Sequence, residues 1–120
     1  MTGPVRIARV YGLDEAPGAR LLVDRLWPRG VSKAALHPDA WLRDLAPSTA
    51  LRQWFDHDPA KWPEFQARFR AELDASPQAV AEALDWCRKG PVLLLYAAHD
   101  EAHNNAVVLR DYLAARLGEG

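Results

Sequence analysis

Pro91-Val92-Leu93-Leu94-Leu95-Tyr96 is an unbroken apolar run, closed by the small pair Ala97-Ala98 and followed by the polar stretch His99-Asp100-Glu101-Ala102-His103-Asn104-Asn105. A short run with no polar face is the signature of a strand covered on both sides, which is the habit of parallel sheets flanked by helices. Immediately upstream, Ser76-Pro77 opens a helical pattern that carries Val80, Leu84 and Cys87 in register and stops at Gly90-Pro91. That is the N-cap, first-turn proline and terminal glycine expected of a complete helix. Downstream, Ala106, Leu109, Leu113 and Leu117 fall on one stripe of a helix, with Asn105 at its edge.

Further out, Val5, Ile7 and Val10 interleave with Arg6 and Arg9, a strand with one wetter face. Tyr11 to Ala19, with Gly12, Asp14, Glu15, Pro17 and Gly18, has loop composition; at nine residues it is short for a helical crossover, so the direction of the next strand stays open. Leu21-Leu22-Val23 reads as a buried strand continuing through Asp24-Arg25-Leu26-Trp27 to a stop at Pro28 and Gly30. From Pro38 to Lys89 the period is helical. Pro38 opens a segment with Trp41, Leu42 and Leu45 on one face. Ser48 caps a second, bearing Leu51, Trp54 and Phe55. A third begins at Asp58-Pro59 or Trp62-Pro63 and aligns Trp62, Phe65, Phe69 and Leu73, with Glu64 and Arg68 paired on its outer side. The expected architecture is a single α/β domain over residues 1–120, a small, largely parallel sheet of three to four strands with helices packed on its faces.

The 120 residues are 49% apolar and 26% charged, with 15 basic against 16 acidic side chains and one cysteine. Such a chain buries roughly two thirds of its unfolded surface without disulfides or metals. Balanced charge supplies no global field toward nucleic acid, and the longest apolar stretch falls far below the roughly 20 residues of a membrane span. One cysteine and no signal-peptide-like run in residues 1–25 point to a cytoplasmic protein.

Three polar clusters can carry chemistry. In Asp24-Arg25-Leu26-Trp27-Pro28-Arg29-Gly30, an apolar strand runs into charges, one of which must enter a covered face and needs a partner or a cavity. The plain alternative is a structural ion pair and a solvated turn. Trp27, between Arg25 and Arg29, either stacks on a ligand ring or covers the sheet edge. In the second cluster, Asn104, Asn105 and His103 lie where the unpaired N–H groups of a helix start favour an anion, while Asp100 can serve as a plain N-cap. His99-x-x-x-His103 is a weak metal spacing with no third ligand nearby, and no metal is expected. The third cluster holds Ser48 and His57, where capping accounts for the serine and no nucleophile elbow surrounds it. Cys87, on an apolar stripe, reads as an inert core thiol. There is no P-loop, no dinucleotide fingerprint and no C-x-x-C, so no cofactor is expected.

The segments Leu22–Gly30, Ala46–Thr49, Leu94–Tyr96 and Asn104–Arg110 resemble the YeaO-like branch of bacterial proteins in the domain-of-unknown-function 488 family. The resemblance implies a Rossmann-like α/β fold and recurring polar positions at Asp24, Arg25, Arg29, Ser48, Asn104 and Asn105. It implies no activity, since that family is uncharacterised. Where the family often has Lys, this chain has His99, which favours an anion site over a metal site and makes a protonated His99 its cation.

These readings converge on a cleft at the C-terminal ends of the strands that binds an anionic, phosphate-bearing or nucleotide-like small molecule. Arg25 and Arg29 hold the anion, Ser48, His103, Asn104 and Asn105 position it, and Trp27 stacks. Asp24 orients Arg25 or acts as an acid/base, and Asp24 or His99 is the candidate general base, although no nucleophile–base pair is legible and catalysis stays open. The rival is a non-catalytic interaction or regulatory module that uses the same basic patch on nucleic acid, the less favoured partner, or on protein.

Overall fold

In the computed structural model, which describes residues 4–13 and 17–118, the chain forms four strands and five helices. They are β1 (Val5–Arg9), β2 (Ala19–Leu22), α1 (Lys33–Leu36), β3 (Ala40–Trp41), α2 (Thr49–Phe55), α3 (Trp62–Asp74), α4 (Pro77–Lys89), β4 (Val92–Tyr96) and α5 (Asn105–Gly118). Single 3₁₀ turns at Arg43–Leu45 and Pro59–Lys61 complete the order. The sheet runs β1-β4-β2-β3 and every pairing is parallel. Part of the loop read between Tyr11 and Ala19, with Asp14 and Glu15, lies outside the described residues.

The last strand in the chain is central. β4 is buried at all five positions, and its alternation divides the core. Val92, Leu94 and Tyr96 join Leu21, Val23 and the inner faces of α2 to α5, whereas Leu93 and Leu95 meet Val10, Leu22 and Leu36 on the opposite side. Four helices cover the first face. The second is closed by the 23–37 segment, where α1 supplies Leu36 and the loop supplies Trp27 and Val31. Gly18 makes the close approach at the start of β2 possible: its φ is +118°, and a Cβ there would lie 2.8 Å from the Pro91 carbonyl oxygen.

The structure corrects two sequence expectations. The strand read through Trp27 ends at Leu22, because Val23 makes one more ladder bond, to the Leu95 carbonyl, and Asp24 then turns its carboxylate toward Ala97. The helix read from Pro38 is β3 followed by a 3₁₀ turn. Here β2 would otherwise leave an open edge; Asp39 N–H donates to the Arg20 carbonyl, Leu42 N–H to Leu22, and the Asp39 carboxylate accepts from Arg20 N–H. These bonds outweigh a weak local helical preference. His99 precedes α5 rather than lying on it, so His99 and His103 do not share a helical face. The direction of the first strand, left open by the sequence, is parallel to β4.

Candidate functional site

All four strands point their C-terminal ends the same way, so the polar residues that follow β1, β2 and β4 meet at one edge of the sheet, the usual ligand edge of open parallel sheets. Asp24 lies at its centre. Its Oδ2 accepts from Ala97 N–H at 2.9 Å and its Oδ1 from Asn105 Nδ2 at 3.1 Å, while the same amide donates to the Val23 carbonyl at 3.1 Å. Trp41 Nε1 donates to the Asp24 carbonyl at 2.7 Å. One aspartate thus ties the ends of β2 and β4 to the first residue of α5. Burial pushes its pKa above the ordinary 3.8, against the opposing pull of Asn105, the Ala97 N–H and the charge of Arg52.

Arg25 does not pair with Asp24. Its Nη2 reaches the Ala46 carbonyl only at 3.5 Å, and its Nε is buried with no hydrogen-bond partner among the described residues. Ser48 stands beyond that carbonyl. Its hydroxyl donates to Glu72 Oε2 at 2.6 Å and accepts from Leu51 N–H at 3.1 Å, and its own N–H donates to Glu72 Oε1 at 2.8 Å. This is the α2 cap, tied to α3. Ser48→Ala is therefore expected to lower stability by about 1–2 kcal/mol in chemical denaturation, the upper part of the range for a lost cap because Glu72 also loses its partner.

The start of α5 is equally committed. Asn104, buried, caps the helix by accepting from Val107 N–H at 3.1 Å and donates to the Asp100 carbonyl at 2.9 Å. Asp100 caps the turn before it instead of the helix, accepting from Ala102 N–H, His103 N–H and the His103 ring. These bonds hold the Asp100 carboxyl below its usual range. His103 stands edge-on to Trp62, with centroids 5.2 Å apart. On the β1 side, Arg9 Nε donates to the Ala98 carbonyl and its Nη2 lies 3.0 Å from His99 Nδ1, while the guanidinium sits over the Tyr11 ring.

The structure therefore brings Asp24, Arg25, Asn104 and Asn105 to one edge, with Ser48 behind the Ala46 carbonyl that faces Arg25. Trp27 lies apart from this group. Its indole N–H donates to the Val31 carbonyl and its ring stands 5.5 Å from Trp41, so it covers the sheet. Arg29 is exposed, and its carbonyl accepts from the Tyr11 hydroxyl. Beside His99, the permanent cation is Arg9, whose guanidinium donates to an imidazole nitrogen that must be unprotonated to accept. Sequence reasoning passed over Arg9 and Arg52. A basic residue ending an edge strand was the available signal for Arg9; the proximity of Arg52 to Asp24 is purely tertiary. Cys87 is buried, and burial raises its pKa. Among the described residues, no group of three or more His, Cys, Asp or Glu side chains is placed to hold a metal ion, and no helix is long and apolar enough to cross a membrane.

The family DUF488-N3i, described as the inactive DUF488-N3 subclade, matches residues 4–120. The uncharacterised protein YeaO of Escherichia coli K12 is 38% identical over 110 residues, covering 91% of this chain and 96% of that protein. The uncharacterised protein Rv3073c of Mycobacterium tuberculosis H37Rv is 39% identical over 113 residues, 93% of this chain and 95% of its own length. No solved structure matches the chain.

Proposed function

This chain belongs to the DUF488-N3i family, the inactive DUF488-N3 subclade, and from that premise we propose that it is a non-catalytic module binding an anionic, phosphate-bearing or nucleotide-like small molecule at the C-terminal edge of its sheet. The absence of catalysis is supported by what the candidate catalytic groups already do. Both Asp24 oxygens accept structural hydrogen bonds, His99 Nδ1 accepts from Arg9, and the Ser48 hydroxyl is spent on Glu72. None is poised to take a proton from a substrate.

The observation that carries the reading is the orphaned Nε of Arg25. A buried donor without an acceptor costs about 1–3 kcal/mol, and an anionic oxygen is the acceptor that would recover most. Arg52, whose charge already acts on Asp24, adds a second cation at the same edge. The family description, an inactive subclade, supports the non-catalytic part of this reading.

The test compares thermal unfolding of the wild type and Arg25→Met with inorganic phosphate, sugar phosphates, nucleotides, divalent metals and short oligonucleotides. At about 100 times its dissociation constant, a ligand should add roughly 2.7 kcal/mol to the wild type and nothing to the variant. Methionine keeps the stem's packing and removes the unpaired donor, so the unliganded variant should be within about 1 kcal/mol of wild type or above it. A variant several kcal/mol less stable, beside a wild type that no anion stabilises, would make Arg25 a structural brace and end the proposal. Stabilisation by oligonucleotides alone, falling steeply with salt, would transfer the site to nucleic acid.

A further inference from the structure

Tyr11 follows the end of β1 and is left 38% exposed. Its position is fixed from two sides. The Arg9 guanidinium lies over the ring, 4.9 Å from its centroid, and the hydroxyl donates to the Arg29 carbonyl at 2.7 Å. The ring thus reaches from β1 to the loop after β2, the loop that also carries Arg25, and its exposure falls on the part that Arg9 leaves uncovered. Arg9 is held in turn by its bonds to the Ala98 carbonyl and to His99 Nδ1. A tyrosine tied at its hydroxyl and backed by a fixed cation has given up its rotamer freedom before anything binds, which is what an aromatic stacking platform requires.

The end of β4 lies between this platform and the anion site. Arg9 holds the Ala98 carbonyl from the β1 side, and Asp24 holds the Ala97 N–H from the β2 side. The floor between them, Ala97-Ala98, is half-buried and raises nothing larger than a methyl group. Because β1 and β2 flank β4, a spacing of about 4.8 Å between neighbouring strands sets the two sides about 10 Å apart. A nucleoside monophosphate spans such a floor, with its base at one end of the sugar and its phosphate at the other. Trp27, bonded to Val31 and packed on Trp41, does not compete for the base.

We propose that the anion held at Arg25 is the phosphate of a nucleoside monophosphate whose base stacks on the uncovered face of Tyr11, across the Ala97-Ala98 floor. This inference rests on the proposed function and narrows its ligand class. Every base has a π-face, so stacking of this kind selects a nucleotide over a plain sugar phosphate without selecting one base sharply.

Isothermal titration calorimetry with AMP, ribose 5-phosphate and inorganic phosphate tests it on the wild type, Tyr11→Phe and Tyr11→Leu, with circular dichroism melts to show that each variant is folded. The expected result is that the wild type binds AMP roughly tenfold or more tighter than ribose 5-phosphate, the effect of one base–aromatic stack. Tyr11→Phe keeps most of that ratio, and Tyr11→Leu brings AMP down to the affinity of ribose 5-phosphate. Equal affinities for the two compounds in the wild type overturn the inference and leave the anion site standing. A ratio that survives in Tyr11→Leu, or a folded Tyr11→Leu that loses both compounds alike, overturns it too, because the ring is then not what reads the base. A wild type that binds none of the three compounds ends the anion reading, and this inference with it.

Discussion

Leu94→Ala is expected to lower the unfolding free energy by about 3–4 kcal/mol, the largest loss of any single truncation considered for this protein. Leu94 is fully buried in the central strand, in register with Ile7 of β1 on one side and Leu21 of β2 on the other. Its side chain belongs to the core built by α2 to α5, where Phe65, Phe69, Leu109 and Leu113 are held by helices that cannot follow a retreating methyl group. A cavity therefore persists. Leu95→Ala makes the same chemical change on the opposite face, against a layer formed by a one-turn helix and a loop. That layer can settle into the space, and a smaller loss of about 2 kcal/mol is expected. Denaturant titrations of the two variants check the order; equal losses would show that both faces are equally rigid.

Asp24→Ala is expected to cost about 2–3 kcal/mol, from the loss of charge-assisted bonds to Ala97 and Asn105 and from the Ala97 N–H left without an acceptor. Asp24→Asn should cost less, since one oxygen can still serve Ala97. The pH dependence separates charge from geometry. Because burial raises the folded-state pKa of Asp24 above 3.8, the folded protein binds this proton more tightly than the unfolded chain. The resulting stabilisation is fully present below that value and is lost as pH rises through the folded-state pKa. Lowering the pH from neutrality toward about 4 should thus favour wild type relative to Asp24→Asn. A wild type that loses ground to the asparagine variant over that interval would mean that its hydrogen bonds outweigh the burial.

The central strand was legible because burial on both faces leaves a pattern that no half-exposed element shares. The caps were legible at Ser48 and at Gly90, where local chemistry decides. Trp41, Leu42 and Leu45 were misread because their spacing suits a helix as well as a short strand and a turn, and the choice lay with the unsatisfied edge of β2. At the site, a charged residue ending a buried strand announced that Asp24 needed partners. It could not name them, since Ala97 is 73 residues away and Asn105 is 81. Arg9 read as one member of a wet strand face; its bonds to Ala98 and His99 require β1 to lie beside β4, an order that local patterns do not contain. Of the two roles read for Trp27, covering the sheet is the one its bond to Val31, four residues on, and its contact with Trp41 display.

The order of the sheet also governs how the chain can be made. β1 and β2 are complete by Leu22, yet neither pairs with the other, and both wait for β4, which begins at Val92. A nascent chain leaving the ribosome exposes the sheet-facing sides of α2, α3 and α4 until that final strand emerges and slides between two partners translated long before. Closure is then a late insertion of long sequence separation, and such closures are slow. The stretch that reads most plainly as structure is the one on which the rest of the molecule must wait, and the interval before it appears is when this protein is most exposed to aggregation.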